Sequence, residues 1–263
     1  MNKRLERLGF AVSNTAKPLL VLSGITKRFG AVEALRNVDL DVRAGEVVAL
    51  LGDNGAGKST LIKIVSGAHP PSGGSMLFDG KAVRQFDPRH AREIGIETIY
   101  QDLALAENLN VGANIFLGRE LRQHRLGLPM LDRARMREEA TQALEQLDIH
   151  IPDLNQPVGE LSGGQRQAVA VARAVYWHAK LVIMDEPTAA VGVGEHEAIL
   201  QLIARLAEHG VAVILITHTM ADVWRVADRI VVLTRGAKAL EGTPTGLGED
   251  AVVRSMLFGR QQA

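Results

Sequence analysis

Leu51-Gly52-Asp53-Asn54-Gly55-Ala56-Gly57-Lys58-Ser59-Thr60 decides the fold of this chain. From Gly52 to Ser59 it follows the pattern G-x-x-x-x-G-K-[ST]. Before it runs Gly45-Glu46-Val47-Val48-Ala49-Leu50-Leu51, a short apolar β-type run. After it comes Leu61-Ile62-Lys63-Ile64-Val65, apolar with a helix-like start. Strand, glycine loop and helix in that order form a phosphate cradle. The glycines clear side chains away, so successive backbone N–H groups converge on an anion, and the helix adds its N-terminal dipole. Lys58 supplies a positive charge for the β- and γ-phosphates, and Ser59 a hydroxyl for Mg²⁺. A Gly-rich turn before a surface helix is the plain alternative, and the full pattern in this setting outweighs it. The chain is therefore expected to bind a nucleoside triphosphate.

Composition sets the frame. The 263 residues are 46% hydrophobic and 23% charged, as in an ordinary soluble globular protein. Formal net charge is zero, so no bulk field points to nucleic acid or an anionic membrane. Cysteine is absent, which excludes disulfides and thiol catalysis and suits a reducing compartment. The longest apolar runs, such as Val211 to Ile216, fall far short of the about 20 residues that span a bilayer. Met1 to Phe10 is charged and does not resemble a secretory signal. Residues 1–18 read as a loosely ordered extension, and residues 19–263 as one domain.

Outward from the loop, the front of the chain reads as antiparallel and β-rich. Leu19 to Leu22 is expected as a strand. Val38-Asp39-Leu40-Asp41-Val42 alternates as a half-buried one, and Met76-Leu77-Phe78 is a third. Asp87-Pro88 opens a helix, and Ile94 to Tyr100 returns to strand. From about 103 to 178 the texture is helical, with no strand signal for some 60 residues. Leu131 to Leu147 is its clearest helix, with Met136, Ala140, Leu144 and Leu147 on one side. The core resumes with strands at Leu181–Met184, Val211–Ile216 and Ile230–Leu233, the last expected to be the final core strand. Helices are expected at Glu195–Glu208, Met220–Ala227 and Asp250–Gly259. Strands alternating with helices predict an α/β core around a mostly parallel sheet. An antiparallel β subdomain and an inserted helical subdomain complete the expected architecture.

A second anion-receiving helix start lies at Ser162-Gly163-Gly164-Gln165, where Ser162 is a good N-cap. Such a turn usually does no more than cap its helix. If it does bind, a γ-phosphate shared by two chains would use both helix starts. At the end of the strand Leu181–Met184 stand Asp185 and Glu186. An acidic residue there lies beside the phosphate loop in an open α/β sheet. Asp185 can hold Mg²⁺ and Glu186 can orient and polarise a water. A capping Asp-Glu pair is the ordinary alternative. His218, after the strand Val211–Ile216, and Gln101, after Tyr100, share that rim. A structural role and a γ-phosphate or metal role both remain open for each.

Together these residues resemble the ATP-binding subunit of an ABC transporter. The phosphate loop matches, and so does Leu161-Ser162-Gly163-Gly164-Gln165, a far more specific signature. The order also fits, from Gln101 through the signature and Asp185-Glu186 to His218, and the resemblance covers about Leu19 to Gly259. It implies that Phe29 stacks on adenine, where the family more often has Tyr. It implies that Lys58, Ser59 and Thr60 hold phosphates and Mg²⁺ and that Asp185 supports the metal. Glu186 would be the catalytic base and His218 the γ-phosphate sensor. Ser162 and Gly164 would act in trans, in a homodimer with ATP between the subunits. The helical insert would meet a membrane permease at the cytoplasmic face of the membrane. After Pro187-Thr188 the family usually shows a small residue, Leu, then Asp. Here Ala190-Val191-Gly192 stands there, so glycine replaces the Asp that helps link the two nucleotide sites.

Ala189-Ala190-Val191-Gly192-Val193-Gly194-Glu195 is similar to importers of monosaccharides such as ribose, xylose or fructose. So are Tyr100 to Leu105, Asn108 to Glu120 and Met256-Leu257-Phe258-Gly259-Arg260. The resemblance implies a sugar-binding protein outside the membrane as an indirect partner, and no nucleic acid. A non-sugar importer or an exporter, a non-transport ABC ATPase and a low-turnover regulatory module stay open as alternatives.

Overall fold

A computed structural model describes residues 17–125, 128–189 and 191–259. The expected N-terminal extension falls almost wholly outside them, as do Ala190 and Arg260.

The centre of the fold is β3 (Val47–Leu51), five consecutive buried apolar residues. It lies in a six-stranded sheet of order β12-β11-β3-β10-β9-β6. Here β6 is Ile96–Ile99, β9 Leu181–Asp185, β10 Ala212–Ile216, β11 Arg229–Thr234 and β12 Ala237–Gly242. All neighbours pair in parallel except β11 with β12. Unbroken apolar runs suit strands covered on both faces. Successive side chains of β9 and β10 enter different cores. Val182, Met184, Val213 and Leu215 pack with the helical side, while Leu181, Ile183, Ile214 and Ile216 pack toward the β-rich side. Each such fully buried residue stabilises the fold by about 1.5–3 kcal/mol.

On the β-rich side lies an antiparallel sheet of order β2-β1-β4-β5. Its strands are β1 (Leu20–Phe29), β2 (Val32–Val42), β4 (Gly73–Phe78) and β5 (Lys81–Ala82). Between the sheets runs α1 (Lys58–Val65), burying Leu61, Ile62, Ile64 and Val65. Next comes α2 (Pro88–Ile94), whose N-cap Asp87 accepts from the His90 N–H at 2.9 Å.

The helical side carries α3 (Val111–Ile115), α4 (Arg133–Gln146) and α5 (Gly163–Tyr176). As expected, Met136, Ala140, Leu144 and Leu147 are buried. Phe116 is enclosed by Tyr176, 4.6 Å between ring centroids, and by Trp177 at 6.0 Å. Then follow α6 (Val193–Glu208), α7 (Met220–Val226), α8 (Pro244–Leu247) and α9 (Glu249–Phe258).

Three expectations need correction. First, β1 does not stop at Leu22 but continues to Phe29 through Gly24, whose φ is +59°. The register shifts between Leu22 and Ile25, so the glycine is a bulge that returns Ile25 to the core face. Second, the insert is not free of strands. Arg122–Arg125 (β7) pairs with Leu128–Leu131 (β8) in an antiparallel hairpin. Backbone pairing forms it on a largely exposed surface that no alternation announces. Third, β11 is not the last core strand, because β12 returns antiparallel beside it.

Among the described residues, no helix is long and apolar enough to cross a membrane.

Candidate functional site: the phosphate loop and its rim

β3 delivers the chain into the loop at Gly52, with φ at +145°. A Cβ there would sit 2.2 Å from the Leu233 carbonyl oxygen, so only glycine fits. Gly57, φ +104°, would set a Cβ 2.8 Å from Leu35 and 2.9 Å from the Ala34 oxygen. Gly55, by contrast, has open space around it. Packing fixes the two ends of the loop and leaves its middle exposed. Gly57 is also the N-cap of α1 and supplies no side-chain cap. The first N–H groups of that helix therefore point into the loop without an internal partner, which is what an anion requires.

Over the loop lies a depression of about 570 Å³. Asp53, Asn54, Gly55, Ala56, Gly57, Lys58, Ser59 and Thr60 form its floor. Phe29, Val32 and Ala34 line it from the hairpin of β1 and β2, and Arg235 and Gly236 from the turn after β11. Phe29 is about half exposed, as a base-stacking ring must be. Lys58 Nζ donates to the carbonyls of Gly52 and, at 3.1 Å, Asp53.

Register brings the rim together. Asp185 pairs with Ile216 of β10, and Ile216 with Leu50 of β3. Asp185, His218 and the phosphate loop thus follow neighbouring strand ends. Burial raises the Asp185 carboxyl above its usual range, the Glu186 charge adds to this, and Lys58 opposes it. Glu186 is left-handed, φ +51°, and its N–H donates to the Ile216 oxygen at 2.8 Å. A non-glycine residue held in that region stores strain, a feature that clusters at working sites. Its Oε1 lies 2.9 Å from His218 Nδ1, an exposed ring. Just beyond, buried Asp222 accepts from Thr188 Oγ1 at 2.8 Å and lies 2.8 Å from His196 Nε2. That carboxylate ties the loop after Glu186 to the start of α6.

Other expected site residues lie elsewhere in the single chain. Gln101 opens a smaller depression with Asp102, Leu103, Leu105, Glu107 and Arg166. Arg173 of α5 holds that loop through the Leu103 and Ala104 carbonyls, at 3.4 and 3.2 Å. Ser162 and Gln165 form a reciprocal capping box at the start of α5. Gly163 and Gly164 abut Glu195, where a Cβ on either would come within 3.1 Å. None of these four residues lines the depression over the phosphate loop.

Sequence reasoning missed Arg235, Thr188, Asp222 and His196. Arg235-Gly236 between two strands was a legible turn signal, whereas Asp222 meets Thr188 across 34 residues of chain, a contact with no local trace.

Fold and site together define a nucleotide-binding α/β protein of the phosphate-loop class. The chain belongs to the ABC transporter family and is an ABC-type ATPase: the family model described as ABC transporter matches residues 35–189. It is 53% identical over 218 residues to the xylose/arabinose import ATP-binding protein XylG of Sulfolobus acidocaldarius, covering 83% of this chain and 85% of that one. The fructose import ATP-binding protein FrcA of Rhizobium meliloti is 47% identical, covering 81% and 84%. A ribose import ATP-binding protein RbsA of Rubrobacter xylanophilus is 43% identical over 93% of this chain, which spans 48% of that longer protein. Among solved structures, the ADP conformation of the ABC transporter cassette MJ1267 superposes with a TM-score of 0.76 at 28% identity, covering 92% and 96%. The dimeric bacterial cassette MJ0796 gives 0.69 at 27% identity, covering 85% and 98%.

Proposed function

We propose that this chain is the ATP-hydrolysing subunit of an importer for a monosaccharide. One observation carries the hydrolytic half of this reading. Glu186 stands in strained backbone at the rim of a phosphate loop, with His218 Nδ1 2.9 Å from its carboxylate. The sugar half rests on similarity to import proteins for xylose, fructose and ribose.

The residues fit the nucleotide. Lys58 and the loop amides from Gly52 to Ser59 would hold the β- and γ-phosphates, with Asp53, Asn54, Ala56 and Thr60 shaping the cradle. Phe29 would stack on the base. They also fit Mg²⁺ in the way that ion is usually held, by few protein ligands plus phosphate oxygens. Among the described residues no three-ligand protein cage exists. Ser59, Asp185 and Gln101 would supply its oxygen ligands from the protein. Bound Mg²⁺ neutralises charge on the phosphates. Glu186 takes the proton of the water that attacks the γ-phosphorus, while the bond to the β-phosphate oxygen breaks. His218 orients that carboxylate and senses the γ-phosphate.

Residues 19–263 serve as one ATPase domain whose helical insert, about 103–178, docks a membrane permease. The signature Ser162-Gly163-Gly164-Gln165 completes the site in trans, in a homodimer. The dimer works at the cytoplasmic face of the membrane, and a sugar-binding protein outside delivers the cargo.

The test is reconstitution with the permease and sugar-binding protein of its own transport system. ATP hydrolysis should rise when the binding protein carries a pentose or hexose. No stimulation by any monosaccharide would overturn the sugar reading, and absence of hydrolysis would overturn the ATPase reading.

A further inference from the structure

β11 and β12 are joined by a two-residue loop, Arg235-Gly236, with Thr234 paired to Ala237. Both loop residues have positive φ, +49° and +79°. Two positive angles in a two-residue hairpin mark a type I′ turn, whose first position favours Asn, Asp or Gly. An arginine there sits in the left-handed region at a conformational cost.

The turn is fixed to the phosphate site from two sides. Gly236 N–H donates to the Ala56 oxygen at 2.9 Å, and the Gly236 oxygen accepts from Arg36 N–H at 2.7 Å. A Cβ on Gly236 would lie 2.6 Å from the Ala34 oxygen, so the turn cannot slide. Arg235 thereby lines the same depression as Lys58. Of the other cations there, Lys58 bonds two loop carbonyls and Arg36 faces Glu33 at 3.4 Å. Among the described residues, the Arg235 side chain has no carboxylate or hydrogen-bond partner. Arg235 is exposed, and its turn holds it in unfavourable backbone beside an anion cradle, where its guanidinium is free to meet an anion.

We propose that Arg235 is a nucleotide-binding residue whose guanidinium holds a phosphate of the bound nucleoside di- or triphosphate. This rests on the nucleotide reading of the depression. A guanidinium offers charge-assisted, forked hydrogen bonds to phosphate oxygens, a role the loop amides and Lys58 do not duplicate.

The test compares Arg235→Asn, which suits the turn, and Arg235→Lys, which keeps the charge, with the wild type. Affinities for ATP, ADP and adenosine are measured on the full chain, with melting of the nucleotide-free protein in parallel. Arg235→Asn should weaken ATP and ADP binding about five- to tenfold and leave adenosine unchanged. Arg235→Lys should recover part of that loss, and the nucleotide-free melting temperature should hold or rise. Wild-type affinity in Arg235→Asn overturns the proposal. So does a loss shared by adenosine, or one that accompanies a lower melting temperature. Unchanged binding with weaker ATP-dependent dimerisation would assign Arg235 to the partner cassette and also overturn it. Wild-type protein that binds no ATP, or Lys58→Ala that binds as tightly as wild type, would instead overturn the nucleotide reading itself.

Discussion

Glu186 and Asp185 are adjacent in sequence and opposed in what their surroundings ask of them. Glu186 is turned toward His218 and the open rim, so its carboxylate is placed to take a proton. Replacing Glu186 by Gln keeps shape and removes the base. Phosphate release should fall about 10²–10⁴-fold while ATP titrations stay near wild type. A variant as fast as the wild type would remove Glu186 from that role. Asp185 is half-buried beside a second acid, and its carboxyl is raised. A raised folded value favours the protonated form, so its stabilising contribution is present in acid and lost as pH rises through that value. Once ionised, Asp185 therefore weighs against the nucleotide-free fold. Asp185→Asn should raise the melting temperature at pH 7 by about 1–3 °C, and the gain should vanish toward acid pH. The same variant should lose Mg²⁺-dependent hydrolysis, which separates stability from function at one position. Both acids were legible because each closes an apolar run. The Glu186–His218 contact was not, since it depends on which parallel strands are neighbours. Arg235 escaped for a different reason: a turn residue is judged by its backbone, and nothing local says where its side chain will lie.

At the level of elements, periodicity carried most of the helices and failed where backbone pairing rather than burial makes the structure. α4 was readable from its buried stripe, and α2 from Asp87-Pro88. The β7–β8 hairpin has Leu128, Met130 and Leu131 on its surface, so no inside–outside rhythm existed to be read. β1 was cut short because Gly24 looks like an end when it is a bulge. The joint between the helical insert and the loop after Gln101 hides another residue without a pattern, Asn114, which is fully buried. Its amide nitrogen donates to the Ala106, Leu109 and Asn110 oxygens at 3.0 to 3.1 Å, and its oxygen accepts from Ala106 N–H at 2.8 Å. Asn114→Ala strands the Ala106 N–H, while the Ala106, Leu109 and Asn110 oxygens keep the N–H groups of Leu109, Val158 and residue 114. It should cost about 1–3 kcal/mol in denaturant unfolding, above a surface substitution. A cost below about 0.5 kcal/mol would show that the segment 106–110 holds itself.

The whole molecule keeps the phosphate loop and the capped start of α5 apart. That a sheet would be mostly parallel followed from alternating strands and helices, but the order β12-β11-β3-β10-β9-β6 did not, because spatial neighbours are not chain neighbours. In the proposed dimer the α5 start of one copy faces the phosphate loop of the other. Ser162→Arg in a Glu186→Gln background should therefore bind ATP yet stay monomeric in light scattering, where Glu186→Gln alone dimerises. Dimers of both would place the interface elsewhere. Gly192, at the position of the family's linking Asp, is the N-cap of α6 and has no atom within 4 Å of an added Cβ. Gly192→Asp should fold with stability equal or higher by a few tenths of a kcal/mol, since Asp is an equal or better cap. The central strand adds one more consequence. Val47 belongs to the helical-side core, Val48 and Leu50 to the β-side core, and Ala49 and Leu51 to the cluster under α7 and α9. No one of these cores can come apart without disturbing the strand that ends in the phosphate loop. The amides of β3 should be among the last to exchange with deuterium, opening only when the entire chain does. Nucleotide should then slow their exchange by the factor by which it stabilises the whole protein, so that occupancy of one loop is registered in all three cores at once.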